Sequence, residues 1–251
     1  MTAMIRVEKL TVGWDGRALL TDLNFEVQAG ETFAVLGGSG SGKSTVLRHL
    51  IGLEVPMAGS IHLQGVGSPG KSMGRPAFGV LFQSGALFGS MTLADNVALP
   101  LKKWTSLDAK TIRALVQAKL RIVGLEGYEN HLPAEISGGM KKRGGIARAL
   151  ALEPSLLFLD EPSAGLDPVT SAGLDDLILA LSRTLGMTTV LVSHELPSIL
   201  AVADRCILLD KQAGGAIAEG NPRKLRDESS DPRVQAFFHR RAEATREQEM
   251  A

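Results

Sequence analysis

Gly37-Gly38-Ser39-Gly40-Ser41-Gly42-Lys43-Ser44-Thr45 follows the apolar run Thr32-Phe33-Ala34-Val35-Leu36 and precedes the helical pattern Val46-Leu47-Arg48-His49-Leu50-Ile51. The order is strand, glycine loop, helix, with the spacing G-x-x-x-x-G-K-[ST] of a nucleoside triphosphate-binding loop. Glycines let successive backbone N–H groups turn inward around phosphate oxygens, which β-carbons would obstruct. The N-terminus of the following helix adds partial positive charge at the same place. The pattern predicts that Lys43 reaches the β- and γ-phosphates and that the Ser44 hydroxyl ligates Mg²⁺.

The chain around this loop has 251 residues, enough for one large domain or two small ones with a substantial core. Its 27 Lys and Arg balance 27 Asp and Glu. That balance argues against broad, sequence-independent binding to nucleic acid, which needs a basic face. A single cysteine, Cys206, excludes an internal disulfide and a cysteine-based zinc cage, and its apolar neighbours Ile207, Leu208 and Leu209 predict simple burial. No N-terminal stretch has the form of a signal peptide, and no run approaches the ~20 apolar residues of a spanning helix. Work at a membrane would then require another chain to hold this one there.

Three blocks follow one another. Short strands are expected at 4–10, 23–27, 32–36 and 60–63, with turns at Asp15-Gly16 and Ala29-Gly30. Residues 88–150 change to helices, expected at 92–99, 108–123 and 138–152. In the middle one Ile112, Leu115, Val116, Leu120 and Val123 repeat at helical spacing behind Asp108, a suitable N-cap. The third block returns to strands at 156–160 and 188–193, continuous apolar runs of the kind buried on both faces of a parallel sheet, with a crossover helix at 171–185. The chain turns polar after Asn221-Pro222, and its last dozen residues are expected to fray or to order against a partner.

Chemistry-bearing residues cluster at the ends of these runs. Leu156-Leu157-Phe158-Leu159 ends in Asp160 and Glu161. Asp160 suits Mg²⁺, held through water, and Glu161 suits an attacking water molecule. His194 ends the next apolar strand, where ligands of open α/β sheets sit, and its imidazole suits the γ-phosphate. Ser137-Gly138-Gly139 opens a helix with a capping hydroxyl and N–H groups free for an anion. Gly144 and Gly145 inside that helix should each cost roughly 1 kcal/mol relative to alanine, and close packing against a neighbour would account for them.

Together these segments resemble the ATP-binding subunit of ABC transporters over about residues 4–225. The resemblance implies an α/β fold: a P-loop NTPase (RecA-like) core with an N-terminal antiparallel β subdomain and an inserted α-helical subdomain at 88–150. Residues 1–225 would form the cassette and 226–251 a C-terminal tail. It further implies ATP and Mg²⁺ as ligands, with 37–45 as Walker A, 156–160 as Walker B and Glu161 as the catalytic glutamate. Gln83 would be the Q-loop glutamine, touching ATP and Mg²⁺, and His194 the switch histidine. Segment 163–167 would be the D-loop, placing Asp167 near ATP, and Trp14 would stack on adenine; packing at a strand edge suits that tryptophan nearly as well. Residues 136–140 correspond to the signature motif, with Ile136 and Met140 in place of the usual leucine and glutamine. Such cassettes pair head to tail, so Ser137, Gly138 and Gly139 would act on the ATP of a second copy.

Phe82-Gln83-Ser84-Gly85-Ala86-Leu87-Phe88, Asp95-Asn96-Val97-Ala98-Leu99-Pro100-Leu101, Ser137-Gly138-Gly139-Met140 and Asp231-Pro232-Arg233-Val234 narrow the likeness to cassettes of the Mla (maintenance of lipid asymmetry) and Mce type. That likeness implies phospholipid traffic between bacterial inner and outer membranes. The expected partners are an integral membrane permease gripped through residues 83–90, a periplasmic Mce-type lipid-binding protein and a STAS-domain subunit. The expected place is the cytoplasmic side of the inner membrane. A cassette for another solute, or a permease-free ABC ATPase of the iron–sulfur assembly type, remain the alternative readings.

Overall fold

The Asp15-Gly16 pair closes the first hairpin because both residues adopt positive φ, 49° and 74°, as a two-residue turn between twisted strands requires. The computed structural model describes residues 3–70 and 74–240. In it β1 (Ala3–Trp14) and β2 (Arg17–Gln28) pair antiparallel, and β4 (Ala58–Leu63) covers the other edge of β1 in a three-stranded sheet. These strands run longer than the sequence pattern predicts: β1 continues past Leu10 through the buried Val12, and β2 starts ahead of the buried Leu20.

The second sheet has the order β5-β6-β7-β3-β8-β9. Its strands are β3 (Thr32–Gly37), β5 (Phe78–Leu81), β6 (Leu156–Asp160), β7 (Thr188–Val192), β8 (Arg205–Asp210) and β9 (Gly215–Gly220). All pairs are parallel except β8 with β9. Every residue of β3 and β7 is buried, which is why their sequences are unbroken apolar runs. Alternate side chains enter different cores. Leu156 and Phe158 join Phe33, Val35, Val190 and the inner faces of β1 and β2, while Leu157 and Leu159 join Leu81, Leu191 and the helices beneath. The sequence pattern does not single out β5, β8 or β9: β5 is four residues long, and β9 is half-exposed with glycine at both ends.

Helix α1 (Lys43–Leu50) follows β3. Between β5 and β6 come α2 (Leu93–Trp104), α3 (Ala109–Ile122) and α4 (Gly138–Ala149), capped by Thr92, Asp108 and Ser137. Contrary to the expected end at 99, α2 continues through Pro100, since burial of Val97, Ala98 and Leu101 outweighs one lost backbone hydrogen bond. Helix α4 stops at Ala149, three residues early; Glu153 then takes a left-handed conformation to enter β6. The crossover helix α5 (Pro168–Leu185) and α6 (Leu196–Val202) flank β7. The chain then forms α7 (Pro222–Glu228) and α8 (Pro232–Phe238), and Val234 and Phe238 pack on Ala34 and Leu36 of β3. The fraying expected of the terminus concerns residues beyond 240, outside those described. Among the described residues no helix is long and apolar enough to cross a membrane. Cys206 is fully buried, as its neighbours predict.

Candidate active site

Register brings the chemistry together. Val192 of β7 pairs with Asp160 on one side and with Val35 of β3 on the other, and Leu81 of β5 pairs with Leu159. The carboxyl ends of four adjacent strands therefore stop at one level, where ligands of open α/β sheets bind. A cleft of about 490 Å³ lies there, lined by Trp14, Gln83, Glu161, His194 and all of loop 37–45 but Ser41. Asp160 borders an adjoining depression that shares Gln83.

The loop is built as a cradle. Gly42 precedes α1 with φ 97°, a left-handed conformation, and no side chain caps the helix. Its first N–H groups therefore lack a side-chain acceptor and suit phosphate oxygens. Where β-carbons of Gly38 and Gly40 would stand there is open space, the room an anion needs. Ser41 Oγ is buried without a partner. Lys43 is 8% exposed, and its Nζ donates to the carbonyls of Gly37 at 2.9 Å and Gly38 at 3.0 Å. Burial lowers its pKa, and the nearby charges of Glu161 and Asp160 oppose that shift.

The acidic strand end is equally ready for ligands. Asp160 Oδ1 and Glu161 Oε2 are buried with no hydrogen-bond partner. Burial, then the charge of Glu161, raises the Asp160 pKa, against Lys142, Arg48 and Lys43. An orphaned carboxylate oxygen on Asp160, whose depression shares Gln83 with the cleft that Ser44 lines, fits Mg²⁺, which takes few carboxylates and keeps water. Glu161 adopts φ 46° and anchors its N–H on Val192 O at 2.8 Å. His194 Nδ1–H donates to Glu161 Oε1 at 2.7 Å, which leaves Nε2 as the free ring nitrogen. Trp14, at the end of β1, is 56% exposed at the mouth of the cleft.

Other expected residues lie elsewhere. Ser137 caps α4 by accepting from Met140 N at 3.2 Å; neither it nor Gly138 nor Gly139 lines the cleft. Asp167 caps α5, accepting from Val169 N and Thr170 N, and is also absent from the cleft wall. Two neighbours of the site escape sequence reasoning. Phe237 of α8, far beyond His194 in the chain, also lines the cleft. Lys142 of α4 is 5% exposed, and its Nζ donates to the carbonyls of Gln83 and, at 2.9 Å, Glu161. Nothing in the helical pattern separates that lysine from the adjacent Lys141.

A phosphate loop leaving β3, an acidic end on β6 two strands away and a histidine after β7 define a P-loop ATPase. The ABC transporter family model matches residues 20–164, and the chain belongs to that family of ATP-hydrolysing, ATP- and Mg²⁺-binding subunits. It is 41% identical over 228 residues to the intermembrane phospholipid transport system ATP-binding protein MlaF of Escherichia coli K12, covering 88% of this chain and 83% of that one. It is 40% identical over 246 residues to the probable ribonucleotide transport ATP-binding protein mkl of Mycobacterium tuberculosis H37Rv, covering 96% and 68%. Among solved structures it resembles the dimeric ATP-binding cassette MJ0796 in a post-hydrolysis state with ADP and Pi, with a TM-score of 0.77 and 28% identity over 87% of this chain and 98% of that one. It also resembles cbiO1 of Clostridium perfringens, part of an ABC transporter complex, with a TM-score of 0.81 and 29% identity over 91% and 92%.

Proposed function

We propose that this ATPase energises phospholipid transport between bacterial inner and outer membranes, as a head-to-tail pair docked on an integral membrane permease. The observation that carries the ATPase half is the Glu161–His194 pair standing at the mouth of the phosphate cradle, with Glu161 Oε2 left unpaired. The pairing rests on Ser137-Gly138-Gly139 being presented away from their own chain's cleft, and on the likeness to a dimeric cassette. The cargo rests on the MlaF relatives and on segments 82–88, 95–101, 137–140 and 231–234. An Mce-type protein and a STAS-domain subunit would complete the complex. The chain would sit peripherally on the cytoplasmic face of the inner membrane, with 88–150 as the helical unit facing the permease.

The residues divide the work as follows. The amides of 38–45 and the Lys43 ammonium, released from the Gly37 and Gly38 carbonyls, bind the phosphates of ATP. Trp14 offers its face to adenine. Mg²⁺, held by Ser44, Gln83 and, through water, Asp160, would neutralise charge on the phosphoryl oxygens. Glu161 orients and polarises the attacking water, and His194 fixes the Glu161 carboxylate and offers Nε2 to the γ-phosphate. Ser137 of the second copy meets charge spreading over the equatorial oxygens. Closure on ATP and opening on ADP then pull the permease through 83–90.

Glu161→Gln should keep ATP binding, lose turnover by about 100-fold or more, and accumulate as an ATP-bound dimer on gel filtration. Unchanged phosphate release would remove Glu161 from its role. For cargo, deletion of the gene should shift the phospholipid composition of the two membranes. Unaltered lipids with impaired uptake of a ribonucleotide would transfer the assignment to the function named for mkl, and failure to capture any integral membrane protein would favour a permease-free ATPase.

A further inference from the structure

Helix α4 grips the segment after β5 along one side. Lys142, Gly145 and Arg148 lie at i, i+3 and i+6 on that side. Lys142 donates to Gln83 O. Gly145 lets the backbone of Gly85 approach so closely that an added β-carbon would lie 2.9 Å from its carbonyl oxygen. Arg148 donates to Ala86 O at 2.7 Å and stands 5.9 Å from the Phe88 ring. The segment thus held has two left-handed residues in succession, Gly85 at φ 77° and Ala86 at φ 47°. Such a conformation costs about 1–3 kcal/mol at a non-glycine residue and persists only where neighbours impose it.

Lys142 differs from Arg148, whose acceptors Ala86 O and Gly85 O both lie in this segment, in having its second acceptor outside it. Its ammonium also donates to the carbonyl of Glu161, itself a left-handed residue, φ 46°. Glu161 O takes a further hydrogen bond from Ala164 N at 3.2 Å, and Glu161 N is fixed on Val192 O. An ammonium 5% exposed to solvent is costly to bury; among the described residues it makes no ion pair, and its hydrogen bonds to two carbonyls, with the charges of Asp160 and Glu161 nearby, hold it there.

We propose that Lys142 is a positioning residue for hydrolysis, which ties the backbone of Glu161 to the backbone of Gln83 and so makes the placing of the water-orienting carboxylate depend on segment 82–88. The inference rests on the reading of Glu161 given above. Displacement of 83–88 then carries both α4, with Ser137 at its tip, and the Glu161 carbonyl. One lysine couples both halves of the catalytic apparatus to whatever moves that segment.

The test uses the full chain, ATP equilibrium binding and steady-state phosphate release, with Glu161→Gln alongside. Lys142→Met keeps the stem and removes the donors. It should lower kcat by up to about 100-fold, the scale of a misplacement near 1 Å, with ATP affinity within about threefold and an unaltered circular dichroism spectrum. Lys142→Arg restores donors to both carbonyls and should recover most of the lost kcat. A Lys142→Met rate equal to wild type, a parallel loss of ATP affinity, or an Lys142→Arg rate as low as that of Lys142→Met would each overturn the proposal. If Lys142→Met does not fold, Lys142→Gln is judged by the same criteria. An active Glu161→Gln chain would instead strike the reading of Glu161.

Discussion

Replacing Gly145 by alanine opposes two quantities of known size. In a helix interior alanine is favoured over glycine by about 1 kcal/mol. The new methyl, however, would lie 2.6 Å from Leu81 Cδ1 and 2.9 Å from Gly85 O. Leu81 is fully buried in β5, and Gly85 is fixed by its N–H on Phe82 O at 2.8 Å, so neither neighbour withdraws cheaply. Overpacking of this kind costs about 1–3 kcal/mol, and a backbone neighbour puts Gly145 at the upper end. The net loss is about 1–2 kcal/mol, which for a chain of this size lowers Tm by roughly 2–8 °C. Gly144 provides the internal control. Its added methyl would meet no backbone, only the tips of Leu93 at 3.0 Å, Leu87 at 3.3 Å and Leu125 at 3.8 Å, contacts longer than those at Gly145 and relieved by smaller shifts. Its propensity gain and repacking cost should cancel to within about 1 kcal/mol. Thermal unfolding followed by circular dichroism ranks the three proteins. A Gly145→Ala chain as stable as wild type, or a Gly144→Ala chain damaged more, would refute the argument that α4 carries its glycines for the close approach of residues 81 and 85.

Mixing Lys43→Ala chains with Ser137→Arg chains should restore ATPase activity that neither has alone, because one composite site per heterodimer is whole; dimers without activity would contradict head-to-tail pairing. Trp14→Ala should raise KM for ATP about tenfold with kcat preserved, on the ~1–3 kcal/mol of base stacking, and an unchanged KM would leave Trp14 as an exposed strand end. Burial pushes the Cys206 thiol from its ordinary 9.0 up to about 12, so the native chain should resist iodoacetamide at pH 8 and react on unfolding. The sign for stability follows. The folded thiol stays neutral where the unfolded one ionises, so this contribution is whole below pH 9 and is lost between pH 9 and 12; urea midpoints over that range check it.

What is legible in the sequence is whatever a local pattern determines. Residues 32–45 and 156–161 declare themselves because a strand buried on both faces must be apolar throughout, and the residues just past its end are then conspicuous: glycines in one case, two carboxylates in the other. Asp108 and Ser137 are legible as caps for the same reason, since the requirement lies within three residues of the helix start. Pro100 misleads because local chemistry argues for a stop and only burial of Leu101, supplied by other elements, argues against it. Lys142 is illegible for a stronger reason. Its two acceptors are main-chain carbonyls, at 83 and 161, and a carbonyl is present at every residue and marks none.

Gly144 and Gly145 stand between these cases. The sequence shows two helix positions without side chains, an evident penalty, but the compensation exists only once β5 and the turn after it are laid across α4. That turn is fixed by its own left-handed residues, Gly85 and Ala86, and α4 is fixed by its cap at Ser137, so each end of the contact is local while the contact is not. The same crossing puts Lys142 under Gln83. A helix that must lie this close to the segment after β5, in order to lose its glycines' surface, also brings the residue next to Lys141 within reach of the Glu161 carbonyl. Close packing at 145 and the bridge at 142 are thus one geometric choice. Gly145→Ala should accordingly depress kcat by weakening the Lys142 contacts, and Gly144→Ala should leave it unchanged.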